Sequence, residues 1–167
     1  MKYKTPIILT LSILALLVLD QISKYLALAY LKGNAPIELI PGIFELHYLE
    51  NTGAAFGSFL GKTTFLSIVT LAIVIYMIWK LVQMPKSKHF MPLASCLCLL
   101  IAGGLGNLID RAFRSFVVDF FYFKPINFPI FNVADIFVCI GVFGLIVATF
   151  LYKEHEMQFL WEFKKSK

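Results

Sequence analysis

Four apolar stretches dominate the chain, at about residues 6–31, 65–82, 90–109 and 132–152. A helix that crosses a bilayer needs about 20 mainly apolar residues for a hydrocarbon core about 30 Å thick. The third stretch has no charged residue, the fourth has only Asp135, and the first is interrupted by Asp20 and Lys24 near its far end. Overall, 59% of the 167 residues are apolar and 15% charged, against about 45–50% and about 25% in soluble domains. A compact soluble fold of this length could not hide so much apolar surface. The expected fold is therefore a mainly α membrane protein, one domain over residues 1–167 with four transmembrane helices. No small-residue cleavage site follows the first stretch and polar residues sit at its end, so it is expected to stay as a helix rather than act as a cleaved leader.

Lysine and arginine placement orients the helices. With four crossings both termini lie on one side, together with Lys2, Lys4, Lys80, Lys86, Lys88, Lys153, Lys164, Lys165 and Lys167 against Glu154, Glu156 and Glu162, a balance of +6. The other side carries Lys24, Lys32, Lys62, Arg111, Arg114 and Lys124 against Asp20, Glu38, Glu45, Glu50, Asp110, Asp119 and Asp135, a balance of −1. The termini are thus expected in the cytoplasm. The basic residues form neither a long run nor a basic face, so nucleic acid is not an expected partner.

The two outer connections are unusual. Between Gly33 and Lys62, Phe44, Leu46 and Tyr48 alternate with Glu45 and His47, the two-residue period of a strand. A small outer β-cradle is expected there. Val117–Phe131 is aromatic and apolar but contains Asp119, Lys124, Pro125 and Pro129. It suggests an interfacial or re-entrant loop.

All four aspartates fall on the outer side, at or beside helix ends. Carboxylates at membrane depth are costly and mark functional sites. Asp20 and Lys24 lie four apart on one helix face in the favourable order, suiting either a structural ion pair or a site. Asn107, Asp110 and Arg111 also share a face, just after Gly103, Gly104 and Gly106, which allow close helix approach. Arg111 suits Asp110, a substrate carbonyl or a phosphate. Asn132 and Asp135 have the spacing of a helix N-cap and its third residue. Asp119 has no adjacent base, and burying a lone carboxylate is expensive unless a partner lies elsewhere in the fold.

Other chemistries fit less well. His47, His89 and His155 form no HExxH pattern, and no metal or other cofactor is expected. Ser23 and Lys24 are helix neighbours and do not face each other. Cys96, Cys98 and Cys139 lie in apolar stretches and suit core packing. Leu93-Ala94-Ser95-Cys96 has the look of a lipobox but sits inside the third helix. A coupled transporter would place its carboxylates near the midplane, in broken helices. A presenilin-type protease would want Gly-x-Gly-Asp, where this chain has Asn107, and an assembly subunit would need no acid cluster.

Five blocks carry a resemblance: Asp20-Gln21-Ile22-Ser23-Lys24, the Asn51–Gly57 segment NTGAAFG, Gly104–Arg111 (GLGNLIDR), Val117-Val118-Asp119-Phe120, and Phe131-Asn132-Val133-Ala134-Asp135. In these blocks, in their order, and in its four helices, the chain resembles the bacterial lipoprotein signal peptidases (signal peptidase II), a family of membrane aspartic peptidases. The resemblance implies an endopeptidase of the bacterial cytoplasmic membrane with its site at the outer face. It would cut the signal peptide from diacylglyceryl-modified prolipoproteins on the N-terminal side of the lipidated cysteine. Asp119 and Asp135 correspond to the family's catalytic pair. Asp20, Lys24, Asn51, Gly53, Phe56, Gly104, Asn107, Asp110, Arg111 and Asn132 correspond to substrate-binding or supporting positions. The implied partners are the lipidated prolipoprotein and membrane lipids, with the chain acting as a monomer.

Overall fold

The computed structural model describes residues 4–53 and 63–160. Among these residues four helices are long and apolar enough to cross a membrane: α1 (Lys4–Tyr30), α2 (Thr63–Gln83), α3 (Met91–Arg114) and α4 (Val133–Leu151). A short α5 (Glu154–Met157) follows. α3 is the axis of the bundle, packing against α1, α2 and α4. Its glycines make this possible by facing three different neighbours. A methyl group at Gly103 would meet the Ala134 carbonyl of α4 at 2.5 Å, one at Gly104 would meet Val74 of α2 at 2.6 Å, and one at Gly106 would fall on the Asp20 carboxylate of α1.

The bundle is polar within and apolar without. Asp20, Lys24, Lys80, Asp110 and Asn132 are fully buried, whereas Phe150 is 84% and Phe143 67% exposed. In water this would be unstable; in lipid the exposed apolar faces match their surroundings.

At one end of the bundle lies a three-stranded antiparallel sheet in the order β1 (Ile37–Ile40), β2 (Phe44–Asn51), β3 (Val117–Phe123). The expected cradle is present, and the left-handed Gly42 (φ +71°) turns the chain between β1 and β2. The third strand corrects the loop expected over Val117–Phe131. Val117 through Phe120 are all buried, so the strand is covered on both faces and shows no two-residue alternation. Beyond β3 a tight turn at Lys124–Ile126, closed by the left-handed Asn127 (φ +49°), sends the chain back along the strand. There Phe131 exchanges backbone hydrogen bonds with Phe121 at 2.8 and 3.0 Å.

One further boundary differs from that expected. α3 runs on to Arg114, five residues past the apolar stretch, because its charges find partners inside the bundle. Lys80, inside the expected second stretch but counted with the charges of the cytoplasmic side, is fully buried in α2, its ammonium 4.2 Å from the Trp79 ring centroid.

Candidate active site

The return of the chain along β3 brings residues 16 positions apart together. Asn132 caps α4, accepting from the Asp135 N–H at 3.0 Å, while its own N–H donates to Asp135 Oδ2 at 3.1 Å. This capping box holds Asp135 at the first turn of α4, pointing back toward β3. Asp119, 1% exposed, receives Asn132 Nδ2 at 2.6 Å on one oxygen and Asn51 Nδ2 at 2.8 Å on the other. Asn107 Nδ2 donates to Asp135 Oδ1 at 2.9 Å.

The three amides have no freedom to flip, because each oxygen is held by a group that can only donate. Gly53 N–H holds Asn51 Oδ1 at 2.9 Å, Asp135 N–H holds Asn132 Oδ1, and the Lys24 ammonium holds Asn107 Oδ1 at 2.8 Å. Each NH₂ group must therefore face a carboxylate. Asn132 Nδ2 also lies 3.2 Å from Asn107 Oδ1, which ties the two halves of the site together.

Beneath this layer sits an ionic one. Lys24 reaches Asp20 at 3.0 Å and Asp110 at 3.2 Å, all three side chains fully buried. Asp110 is also paired with Arg114, one turn along the same helix, and accepts the Val118 N–H at 3.0 Å. Asp20 accepts from the Ala134 N–H at 2.9 Å and from Gln21 at 3.0 Å. Arg111 is not the partner of Asp110: it donates to the Gly53 carbonyl at 3.3 Å, and its buried Nε has no hydrogen-bond partner.

Asp119 and Asp135 both line a cavity of about 420 Å³, with Asn51, Asn107 and Arg111. The remaining wall is apolar: Val117, Phe128–Phe131, and Ile136, Val138, Cys139 and Ile140 of α4. Burial and, secondarily, the nearby Asp135 charge push the Asp119 carboxyl up to about 7, against the opposing amide hydrogen bonds and Lys24. Asp119 thus keeps a proton to near neutrality beside a second carboxylate, and two such groups can supply a base and an acid on one wall. No group of three or more His, Cys, Asp or Glu side chains forms a metal cage among the described residues.

Most residues singled out in the sequence meet here. Gly53 contributes backbone groups to Asn51 and Arg111. Gly104 faces α2 rather than the cavity, and Phe56 lies outside the described residues. Sequence reasoning did not assign Arg114, although its spacing from Asp110 is that of a helical ion pair. The contributions of Val118 and Ala134 are backbone N–H groups, which leave no trace in residue type. The apolar wall from Phe128 to Phe131 was visible only as a run of interfacial residues.

Comparison with known proteins agrees in sequence and in fold. A family model described as "Signal peptidase (SPase) II" matches residues 12–151. The lipoprotein signal peptidase of Clostridium novyi (strain NT) is 41% identical over 141 residues, which cover 83% of this chain and 93% of that one. That of Streptococcus pyogenes serotype M5 (strain Manfredo) is 36% identical over 146 residues, covering 87% and 93%. A bacterial membrane enzyme solved by the in meso method at 2.3 Å resolution superposes with a TM-score of 0.79 at 31% identity, covering 95% of this chain and 94% of that one. A second, solved by the same method at 1.9 Å, gives 0.75 at 34% identity, covering 87% and 93%. Taken with four bilayer-length helices, these matches place the chain in the signal peptidase II family, as a multi-pass membrane peptidase of the aspartic type.

Proposed function

We propose that the chain removes signal peptides from diacylglyceryl-modified prolipoproteins by cutting on the N-terminal side of the lipidated cysteine, with Asp119 and Asp135 as the catalytic pair. The observation that carries this reading is the company of those two carboxylates. They share a cavity, their oxygens are held by oriented amides, and among the described residues neither has a cationic ion-pair partner. Such a pair shares one proton. The ionised member takes a proton from water as its oxygen attacks the scissile carbonyl carbon. The protonated member hydrogen-bonds the carbonyl oxygen and then protonates the departing nitrogen as the C–N bond breaks. The pair ends with one proton, ready for another turnover.

Supporting roles follow from contacts. Lys24 orients Asn107, which orients Asp135; Asp20 and Asp110 balance Lys24 and bind the backbones of α4 and β3. Arg111 and Asn51 line the cavity and orient substrate without exchanging protons. The apolar wall suits a lipidated substrate, whose chains stay in the bilayer because each buried CH₂ is worth about 0.8 kcal/mol. The sequence charge bias of +6 against −1 supports both termini in the cytoplasm and the cavity at the outer face of the bacterial cytoplasmic membrane. A monomer as the working unit is part of the same proposal.

The test is cleavage by the purified chain of one prolipoprotein with and without its diacylglyceryl group. Cleavage of the lipidated form only is expected; equal rates on both would remove lipid recognition from the proposal. Orientation is tested by single cysteines at Lys88 and Lys124 in a cysteine-free background. An impermeant reagent from outside should label only the second.

A further inference from the structure

A second cavity shares no lining residue with the first. α1 and α2 both pack on α3 but make little contact with each other, leaving a groove of about 400 Å³ at the end of the bundle away from the sheet. Leu9 and Leu14 form one wall, Leu81 the other, and Ile101 and Leu105 the floor, with Lys86 at the rim. We propose that this groove binds one acyl chain of an anionic glycerophospholipid, with Lys86 and Lys88 holding the headgroup phosphate.

Three observations support it. The first is depth. From Pro6 to Leu14 the groove follows α1 for about 12 Å at about 1.5 Å per residue, close to the half-thickness of a core about 30 Å deep. Its length along α1 is that of about one leaflet. The second is chemistry: walls this apolar, facing lipid, are filled by an apolar chain, since packed proteins leave few empty voids. The third is charge. Lys86 and Lys88 are exposed and neither has an acidic partner among the described residues. The nearby acid Glu156 is already engaged by His89 at 2.9 Å and by the Lys153 N–H at 2.9 Å. Basic pockets between membrane helices select anionic headgroups. A second copy of the chain is a poorer occupant, because a two-fold contact would set the same lysines of both copies against each other.

The experiment is native mass spectrometry of the full chain, purified in detergent with equal phosphatidylglycerol and phosphatidylcholine. Preferential retention of phosphatidylglycerol is expected, and each of Lys86→Ala and Lys88→Ala should lower that preference by about five-fold. Lys124→Ala, at the other end of the bundle, should leave it unchanged. Thr10→Phe with Val82→Phe, both on exposed positions beside the groove, should reduce retention of both lipids without changing thermal unfolding. Equal retention of the two lipids by the unsubstituted chain overturns the headgroup assignment. Retention indifferent to the phenylalanines overturns the groove. A dimer that the phenylalanines abolish would make a second copy the occupant and overturn the lipid assignment.

Discussion

Asp20 and Asp110 are fully buried and Asp119 is 1% exposed, yet these carboxylates, a few residues from one another in space, keep different company. Asp20 and Asp110 share the Lys24 ammonium, and Asp110 has Arg114 as well. Among the described residues, Asp119 and Asp135 have only amide donors as direct side-chain partners. An ammonium compensates the charge of a buried carboxylate. An amide orients it but brings no compensating charge, and at Asp119 burial then keeps the proton on to about 7. On the proposed function, two pairs of the same residue type divide into a frame and a reactive centre according to whether the neighbour is a cation or a dipole.

The largest effects should come from removing the reactive pair. Asp119→Asn or Asp135→Asn should each lower turnover by about 10²–10⁴-fold, and the double variant should lose little more, since the two act as a unit. The pinned amides add a second consequence. At position 119 an Asn would turn its NH₂ toward the NH₂ of Asn51 or Asn132, leaving a donor unsatisfied at a cost of about 1–3 kcal/mol. Adding Asn51→Asp restores an acceptor opposite the new NH₂. The swap should recover stability and not turnover, and thermal unfolding beside cleavage of lipidated precursor reads both. Recovery of cleavage by the swap would show that a carboxylate anywhere in this network suffices, and would end the distinction drawn between the pairs.

Removing the centre of the frame should act on stability instead. Lys24→Met leaves Asp20 without its ammonium and costs about 3–5 kcal/mol, the penalty for a buried charge that has lost its partner. Lys24→Met with Asp20→Asn should recover part of that loss, Asp110 still having Arg114. If Lys24→Met kept its unfolding midpoint and lost only activity, Lys24 would belong with the reactive pair.

These two layers were unequally legible in the sequence. The Asp20–Lys24 pair and the Asn132–Asp135 cap are local, three or four residues apart on a helix, and periodicity exposes them. The meeting of Asp119 with Asn51 and Asn132 is set by β3 and its return, and β3 was hidden. Val117–Phe120 is buried on both faces, so alternation was absent, and Lys124, Pro125 and Pro129 further along gave the segment a loop's composition. In β2 the alternation was visible but inverted in part: Glu45 is buried because Lys124 reaches it at 3.1 Å. α3 outran its apolar stretch for a related reason, since hydropathy stops at the first charge whether or not it has a partner. The five blocks of family resemblance supplied the long-range pairing that spacing alone did not.

A third effect separates the pairs by pH. The Asp119 carboxyl, raised to about 7, keeps its proton until there and loses it above. kcat/KM on lipidated precursor should therefore fall on the alkaline side with an apparent pKa near 7, about tenfold per pH unit. Stability carries the matching sign. An unfolded Asp titrates near 3.9, so between about 4 and 7 the native chain binds more protons than the unfolded one. Its stability should fall as pH rises through that window, by at most about 1.4 kcal/mol per pH unit from this group, and level off beyond 7. Asp119→Asn should remove this component. A slope unchanged by that substitution would mean that another group carries the titration.

The smallest expected effect comes from ionic pairing outside the bundle, and it tests whether burial is what makes the frame matter. Lys32 meets Glu50 at 2.7 Å, shorter than either contact of Lys24, but the side chains are 53% and 39% exposed. Hydrogen bonds from Lys32 and the Tyr48 hydroxyl hold the Glu50 carboxyl below its usual range. Water screens such a pair and solvates either partner left behind, so exposed pairs contribute about 0–1 kcal/mol. Lys32→Ala should lower the unfolding free energy by no more than that, and its effect should shrink further in high salt. Lys24→Met should be nearly indifferent to salt, its charges being beyond the reach of ions. The paired measurement is unfolding at low and high ionic strength for both variants. A Lys32→Ala loss as large as that of Lys24→Met, and as insensitive to salt, would show that the sheet's ionic contact is part of the frame. Burial would then not be the property that separates the two.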